Sequence, residues 1–157
     1  MKIYLLRHGE AARAVRPGPS GDGERRLTPA GIEQVRRMAR HMNEQGVRPT
    51  RLLTSPLKRA VETADEVSRT LTHRLRPEVF EPLSNVISGE ELCSLVLRDL
   101  PPEEEVLLVG HQPQLGEFAA ALTGTIFSLP TAGLLALKAS LEGGALLWHA
   151  SPDALSE

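Results

Sequence analysis

Cysteine occurs once in the 157 residues, at Cys93, so no disulfide can close within the chain. A lone cysteine fits a cytoplasmic setting, where thiols stay reduced. No charged leader precedes an apolar core at the amino terminus, and no hydrophobic run approaches transmembrane length, so no membrane segment is expected. The formal net charge of −2 gives no reason to expect a nucleic-acid surface. Lysine is scarce, 3 against 15 arginines, a bias read as genomic. No carboxylates cluster at metal-ligand spacing, so metal-assisted hydrolysis is not expected. No glycine-rich loop ends in Lys-Ser or Lys-Thr, which argues against nucleotide binding of that kind. No serine sits at a nucleophile elbow. With no internal repeat and no linker, residues 1–157 are expected to form one domain with room for a real core.

Against these absences, the first ten residues stand out. Lys2-Ile3-Tyr4-Leu5-Leu6 is a short apolar and aromatic run that suits a covered strand. It ends in Arg7-His8-Gly9-Glu10, whose cation and imidazole do not belong in a buried layer. They are expected at the carboxyl end of the strand, the edge where ligands bind in open parallel sheets. Gly9, lacking a Cβ, lets the backbone turn sharply or approach a ligand closely.

Residues 11–26 form a polar loop rich in glycine and proline, with Asp22, Glu24, Arg25 and Arg26 as its charged members. A loop of that length leaving the first strand can fold over whatever His8 holds. Thr28 and Pro29 open a helix whose apolar face is Ile32, Val35, Met38, Ala39 and Met42, with Gly46 as its stop. Arg36, Arg37, Arg40 and His41 are expected on its solvated side. Arg51–Thr54 reads as a second strand, and Ser55-Pro56 as the cap and first turn of a helix from Leu57 to about Leu71. Cations in the first turn of that helix, Lys58 and Arg59, oppose its dipole unless an anion binds there. That singles out Arg59, while Lys58 reads as a surface lysine.

Pro77 confines the strand over Arg76–Phe80 to a sheet edge. Residues 90–100 read as a helix, with Cys93 a small buried hydrophobe. Val106-Leu107-Leu108-Val109 is a continuous apolar strand, followed by Gly110-His111 and then a further helix with Leu115, Phe118, Ala119 and Leu122 inward. Two separate strands thus each deliver a histidine to a carboxyl end. Strands over 133–137 and 145–149 are joined at Glu142-Gly143-Gly144, a hairpin signal, and the tail from Ser151 is expected to be loose.

Arg7, His8, Arg59 and His111 at one sheet edge would make a cationic pocket. Guanidinium groups fork onto phosphate oxygens and stay charged at any working pH. With the other nucleophiles excluded, an imidazole remains. A neutral nitrogen of His8, with either nitrogen eligible, could take a phosphoryl group while Arg7, Arg59 and His111 stabilise its oxygens. Water would then hydrolyse the phosphohistidine.

These residues carry a resemblance. Arg7-His8-Gly9-Glu10 after a first strand, the run Ser55-Pro56-Leu57-Lys58-Arg59-Ala60-Val61-Glu62-Thr63-Ala64, and Val109-Gly110-His111 resemble, in order and spacing, the three motifs of the histidine phosphatase superfamily, the phosphoglycerate-mutase-like proteins. The resemblance covers nearly the whole chain. Small size and the stretch from Asp22 to Thr28 are similar to the SixA-type phosphohistidine phosphatases. The resemblance implies a three-layer α/β/α sandwich around a mostly parallel sheet and a metal-independent phosphohydrolase with no cofactor. It implies that His8 is phosphorylated and that Arg7, Arg59 and His111 form the phosphate pocket, with Gly9 and Asp22 as further substrate-binding candidates.

Many members place an acid between the second and third motifs. Glu81 is the nearest candidate proton donor, with Glu90, Glu91 and Asp22 as alternatives. A weak donor matters less when the leaving group is an imidazole, and the short stretch from Arg59 to His111 has no room for a lid. Both features favour phosphohistidine on a protein as the substrate. The alternatives are a small-molecule phosphomonoesterase and a phosphate-binding module without turnover. The last would show a missing pocket member, and none is missing.

Overall fold

The structure, a computed structural model, describes residues 1–155. Six strands form one sheet in the order β3-β2-β4-β1-β5-β6. They are β1 (Lys2–Arg7), β2 (Arg51–Thr54), β3 (Pro77–Val79), β4 (Glu105–Gly110), β5 (Leu134–Ser140) and β6 (Gly143–Ala150). The first four are mutually parallel; β5 pairs antiparallel with β1, and β6 pairs antiparallel with β5 at the edge. Pro77, which cannot donate to a ladder, opens the edge strand. Among the described residues the α-helices are α1 (Gly18–Gly23), α2 (Pro29–Glu44), α3 (Lys58–Thr70), α4 (Gly89–Asp99) and α5 (Gln114–Thr123).

The alternation of side chains along the central strands builds two cores. On one face Tyr4, Leu6, Leu107 and Val109 meet Val35, Met38 and Met42 of α2 and Ala60, Ala64 and Val67 of α3. On the other, Ile3, Leu5, Val106 and Leu108 meet Leu92 and Val96 of α4 and Leu115 and Phe118 of α5. Each buried Leu or Ile contributes roughly 1.5–3 kcal/mol relative to exposure. β1 and β4 are apolar on both faces for this reason, and the expected three-layer α/β/α sandwich is what forms.

Local boundaries differ from the sequence reading where a side chain has another task. Thr28 does cap α2, accepting from the Gly31 amide at 2.9 Å, with Pro29 in the first turn. Ser55 does not cap α3: that helix starts at Lys58 after Leu57, with no side-chain cap. Gly143 and Gly144 belong to β6, so the hairpin turn falls earlier, at Leu141-Glu142. The loop after β1 is not wholly irregular, since α1 lies within it. His41 is not free in solvent but packs edge-on against Trp148 at 5.7 Å. Arg36 pairs with Glu66, and the Arg37 guanidinium donates to the Leu155 carbonyl. The segment from Ser151 is therefore anchored rather than loose as far as Leu155, with Pro152 buried. The last two positions assigned to that tail and to the domain, Ser156 and Glu157, lie outside the described residues.

β1 and β4 are neighbours, yet α2 and α5 cover opposite faces of the sheet. A crevice therefore opens above their carboxyl ends, as doubly wound sheets produce where connections part.

Candidate active site

Strand register assembles the site. Arg7 lies opposite Gly110, and Thr54 opposite Val109, so the carboxyl ends of β1, β4 and β2 finish level. His8, His111 and Ser55 come immediately after them. The His8 amide donates to the Gly110 carbonyl at 3.1 Å, and the Ser55 amide to the Val109 carbonyl at 3.0 Å. Arg59 reaches in from the first turn of α3.

These elements surround a cavity of about 380 Å³ whose lining includes Arg7, His8, Arg59 and His111. The two imidazole centroids are 5.2 Å apart. The His8 Nδ1 lies 2.7 Å from the Gly9 carbonyl oxygen, an acceptor, so Nδ1 carries the proton and Nε2 keeps its lone pair. The Arg59 Nε–H donates to that Nε2 at 3.3 Å, which agrees with this tautomer. The Arg7 guanidinium is anchored through Nη1 to the Leu129 carbonyl at 2.9 Å. Among the described residues its buried Nε has no partner, and neither does the buried Nδ1 of His111. Both belong to side chains that line the cavity, and buried polar atoms without partners are rare in folded proteins.

Both histidines are neutral near pH 7. Burial pushes His8 down to about 4, with Arg59, Arg7 and Arg25 adding to the effect against the Gly9 carbonyl. His111 is pushed down to about 3 by burial first, then by His8, Arg59 and Arg7, against Asp22. Neutrality is what a nucleophilic imidazole requires.

The residues missed in the sequence are informative. Arg25, named there only as a charged loop member, lines the cavity, as do Glu10, Asn85, Gln112 and Thr131. Asn85 has a left-handed backbone, φ 72°, at the end of the short helix over Glu81–Ser84. Thr63, the threonine of the Arg59 motif, accepts from the Gly9 amide at 3.1 Å and donates to the Arg59 carbonyl at 2.8 Å, tying α3 to the His8 loop.

The other candidates take these places. Gly9 is not among the cavity-lining residues, and a Cβ there would come within 2.7 Å of the Gly31 carbonyl oxygen, so its smallness lets the loop pack against α2. Asp22 bridges two arginines, at 3.2 Å to Arg25 and 3.3 Å to Arg59. Burial raises its pKa, but the two guanidinium groups outweigh that and hold the carboxyl below its ordinary value, which suits an anchor and not an acid. Glu81 is exposed and outside the cavity lining, because the short helix it opens sends Asn85 to the cavity instead. Glu91 is consumed by the capping box of α4 with Ser88. Glu90 lines a separate groove of about 710 Å³ along α5, where Glu117 adds a second carboxylate and no described wall residue is cationic.

The family model described as the histidine phosphatase superfamily, branch 1, matches residues 3–90. The chain belongs to the histidine phosphatase superfamily. Among its relatives, an uncharacterised protein of Picosynechococcus is 36% identical over 88% of this chain and 85% of its own. The phosphohistidine phosphatase SixA of Escherichia coli is 31% identical over 97% of this chain and 94% of its own. Among solved structures, the protein histidine phosphatase SixA complexed with tungstate superposes with a TM-score of 0.82 at 28% identity, covering 99% of this chain and all of that one. As a member of this superfamily the protein is a phosphohydrolase with a phosphoglycerate-mutase-like fold. No helix among the described residues is long and apolar enough to cross a membrane.

Proposed function

We propose that the protein removes the phosphoryl group from phosphohistidine on another protein, working within one domain in the cytoplasm. The observation that carries this reading is the single cavity in which a neutral imidazole presents Nε2 beside orphaned donors and three guanidinium groups.

In the proposed reaction, Nε2 of His8 attacks phosphorus in line. The new bond is N–P; the bond to the departing nitrogen breaks with its electron pair staying on that nitrogen, and the substrate ring leaves as neutral imidazole because its other nitrogen already carries a proton. Arg7 and Arg59 hold the equatorial oxygens in a site where charge is poorly screened, and His111 adds a neutral donor. Arg59 gives up its contact with Nε2 to do so. Water then attacks the phosphohistidine, releasing phosphate and restoring His8. Asp22 fixes Arg59 and Arg25.

A protein substrate is supported by two features. Glu81, Glu90, Glu91 and Asp22 do not line the cavity, and Glu10, the carboxylate that does, is exposed and accepts from the Thr28 hydroxyl at 2.7 Å. A neutral imidazole needs less help to depart than an alkoxide. Also, Gln112 lines both the cavity and the groove along α5, whose exposed Ile126 and half-buried Phe127 offer apolar contact to residues flanking a phosphohistidine.

The test is a comparison of kcat/KM on a phosphohistidine-carrying domain and on a panel of sugar and nucleoside phosphates. Preference for the domain is expected. Faster turnover of a small phosphate would replace this reading with a phosphomonoesterase, and no turnover of either with a binding module.

A further inference from the structure

We propose that Ser55 is a positioning residue: its hydroxyl donates to Nε2 of His111 and so keeps the proton of that ring on Nδ1, the nitrogen left to meet a phosphoryl oxygen. This rests on reading Arg7, His8, Arg59 and His111 as the phosphate site.

Ser55 is fully buried, and its Oγ lies 2.7 Å from the His111 Nε2. The same Oγ accepts from the Leu57 amide at 3.1 Å. A serine hydroxyl has one proton to give. Among the described residues the Nε2 of His111 is its remaining partner, so the proton is directed there. The imidazole must then carry its own proton on Nδ1, which is buried and otherwise without a partner.

The opposite arrangement leaves two faults. If Nε2–H donated to Oγ, the serine proton would have no acceptor and the buried Nδ1 would be a bare lone pair in a ring that lines a cavity built for an anion. Buried polar groups without partners are costly, and a lone pair repels a phosphoryl oxygen. The choice of tautomer matters because the ring is neutral: burial, His8, Arg59 and Arg7 hold its pKa far below neutrality against Asp22. A protonated ring would carry donors on both nitrogens and need no director.

Strand register makes this contact possible. Ser55 follows β2 and His111 follows β4, adjacent parallel strands whose last paired residues are Thr54 and Val109. The serine is thereby held by its own amide on Val109 and by the Leu57 amide before α3 begins. That is why it cannot also serve as the helix cap.

The first measurement needs no variant. Long-range proton–nitrogen NMR of the 15N-labelled wild-type protein at neutral pH is expected to show His111 protonated at Nδ1 and bare at Nε2. The reverse tautomer would overturn the proposal. In Ser55→Ala the tautomer signature is expected to shift, with kcat/KM falling roughly tenfold to a hundredfold, the scale of misaligning one oxyanion donor. The fall should be similar on p-nitrophenyl phosphate and on a phosphohistidine domain, and inhibition by inorganic phosphate should weaken. Ser55→Thr keeps the hydroxyl and should restore both signature and rate. A Ser55→Ala protein that keeps the wild-type tautomer and rate, or a Ser55→Thr protein with the wild-type tautomer and the alanine variant's rate, would overturn it. Failure of the phosphatase reading would show differently, as a wild-type protein inert on both substrates whatever its tautomer.

Discussion

Burying two neutral imidazoles in a cationic cavity makes the fold sensitive to acid, and His8→Gln isolates one of them. The His8 pKa falls from an ordinary 6.5 to about 4 on folding. Between those values the unfolded chain binds a proton that the folded chain refuses. The unfolded state therefore binds more protons, and stability falls as pH falls through that window. From pH 7 to 4.5 the loss through His8 alone is about 2 kcal/mol, a large fraction of the few kcal/mol by which a domain is stable. His111, pushed still lower, contributes in the same direction. Urea unfolding followed by circular dichroism at the two pH values measures this directly. The wild-type protein should lose about 2 kcal/mol more than His8→Gln on acidification, because the variant has no imidazole at that position to protonate. Equal losses in the two proteins would refute the reasoning, since His8 would then titrate alike folded and unfolded.

Other outcomes follow from single contacts. Glu81→Gln should leave kcat/KM on phosphohistidine within about twofold, because an exposed side chain outside the cavity does not serve as the acid; a large drop, checked by steady-state kinetics, would restore it to that role. Thr63→Val strips the buried Gly9 amide of its acceptor and should cost about 1–3 kcal/mol by denaturant titration, with a parallel fall in kcat as the Gly9 carbonyl that orients His8 shifts. Gly89→Ala should cost about 2–3 kcal/mol by the same titration, because a Cβ there overlaps the backbone of Gln114 and Phe118 where α4 meets α5.

The layers and the principal cavity walls were legible in the sequence because they are written in local chemistry. Continuous apolar strands announce burial on both faces, and a histidine directly after each of two such strands announces a shared edge. Arg59 was legible because a cation in a helix's first turn conflicts with the dipole. What escaped depends on long-range geometry. Arg25 looked like any loop charge until the chain closed over the cavity, and Asn85 owes its position to a left-handed backbone after a short helix. Glu81 was chosen by its distance along the chain, and the turn it opens sends it outward. Ser55 obeyed the rules of a helix cap, yet the strand register hands its hydroxyl to His111. Gly9 was read as allowing a sharp turn or a close ligand; its tight packing against Gly31 of α2 is a long-range contact that local sequence does not announce.

The central claim is that phosphate passes through Nε2 of His8. Rapid quenching of the protein with a phosphorylated substrate should trap phosphate that is stable to alkali and lost in acid, and His8→Ala should trap none. Equal labelling of the two proteins, or a label that survives acid, would contradict the account.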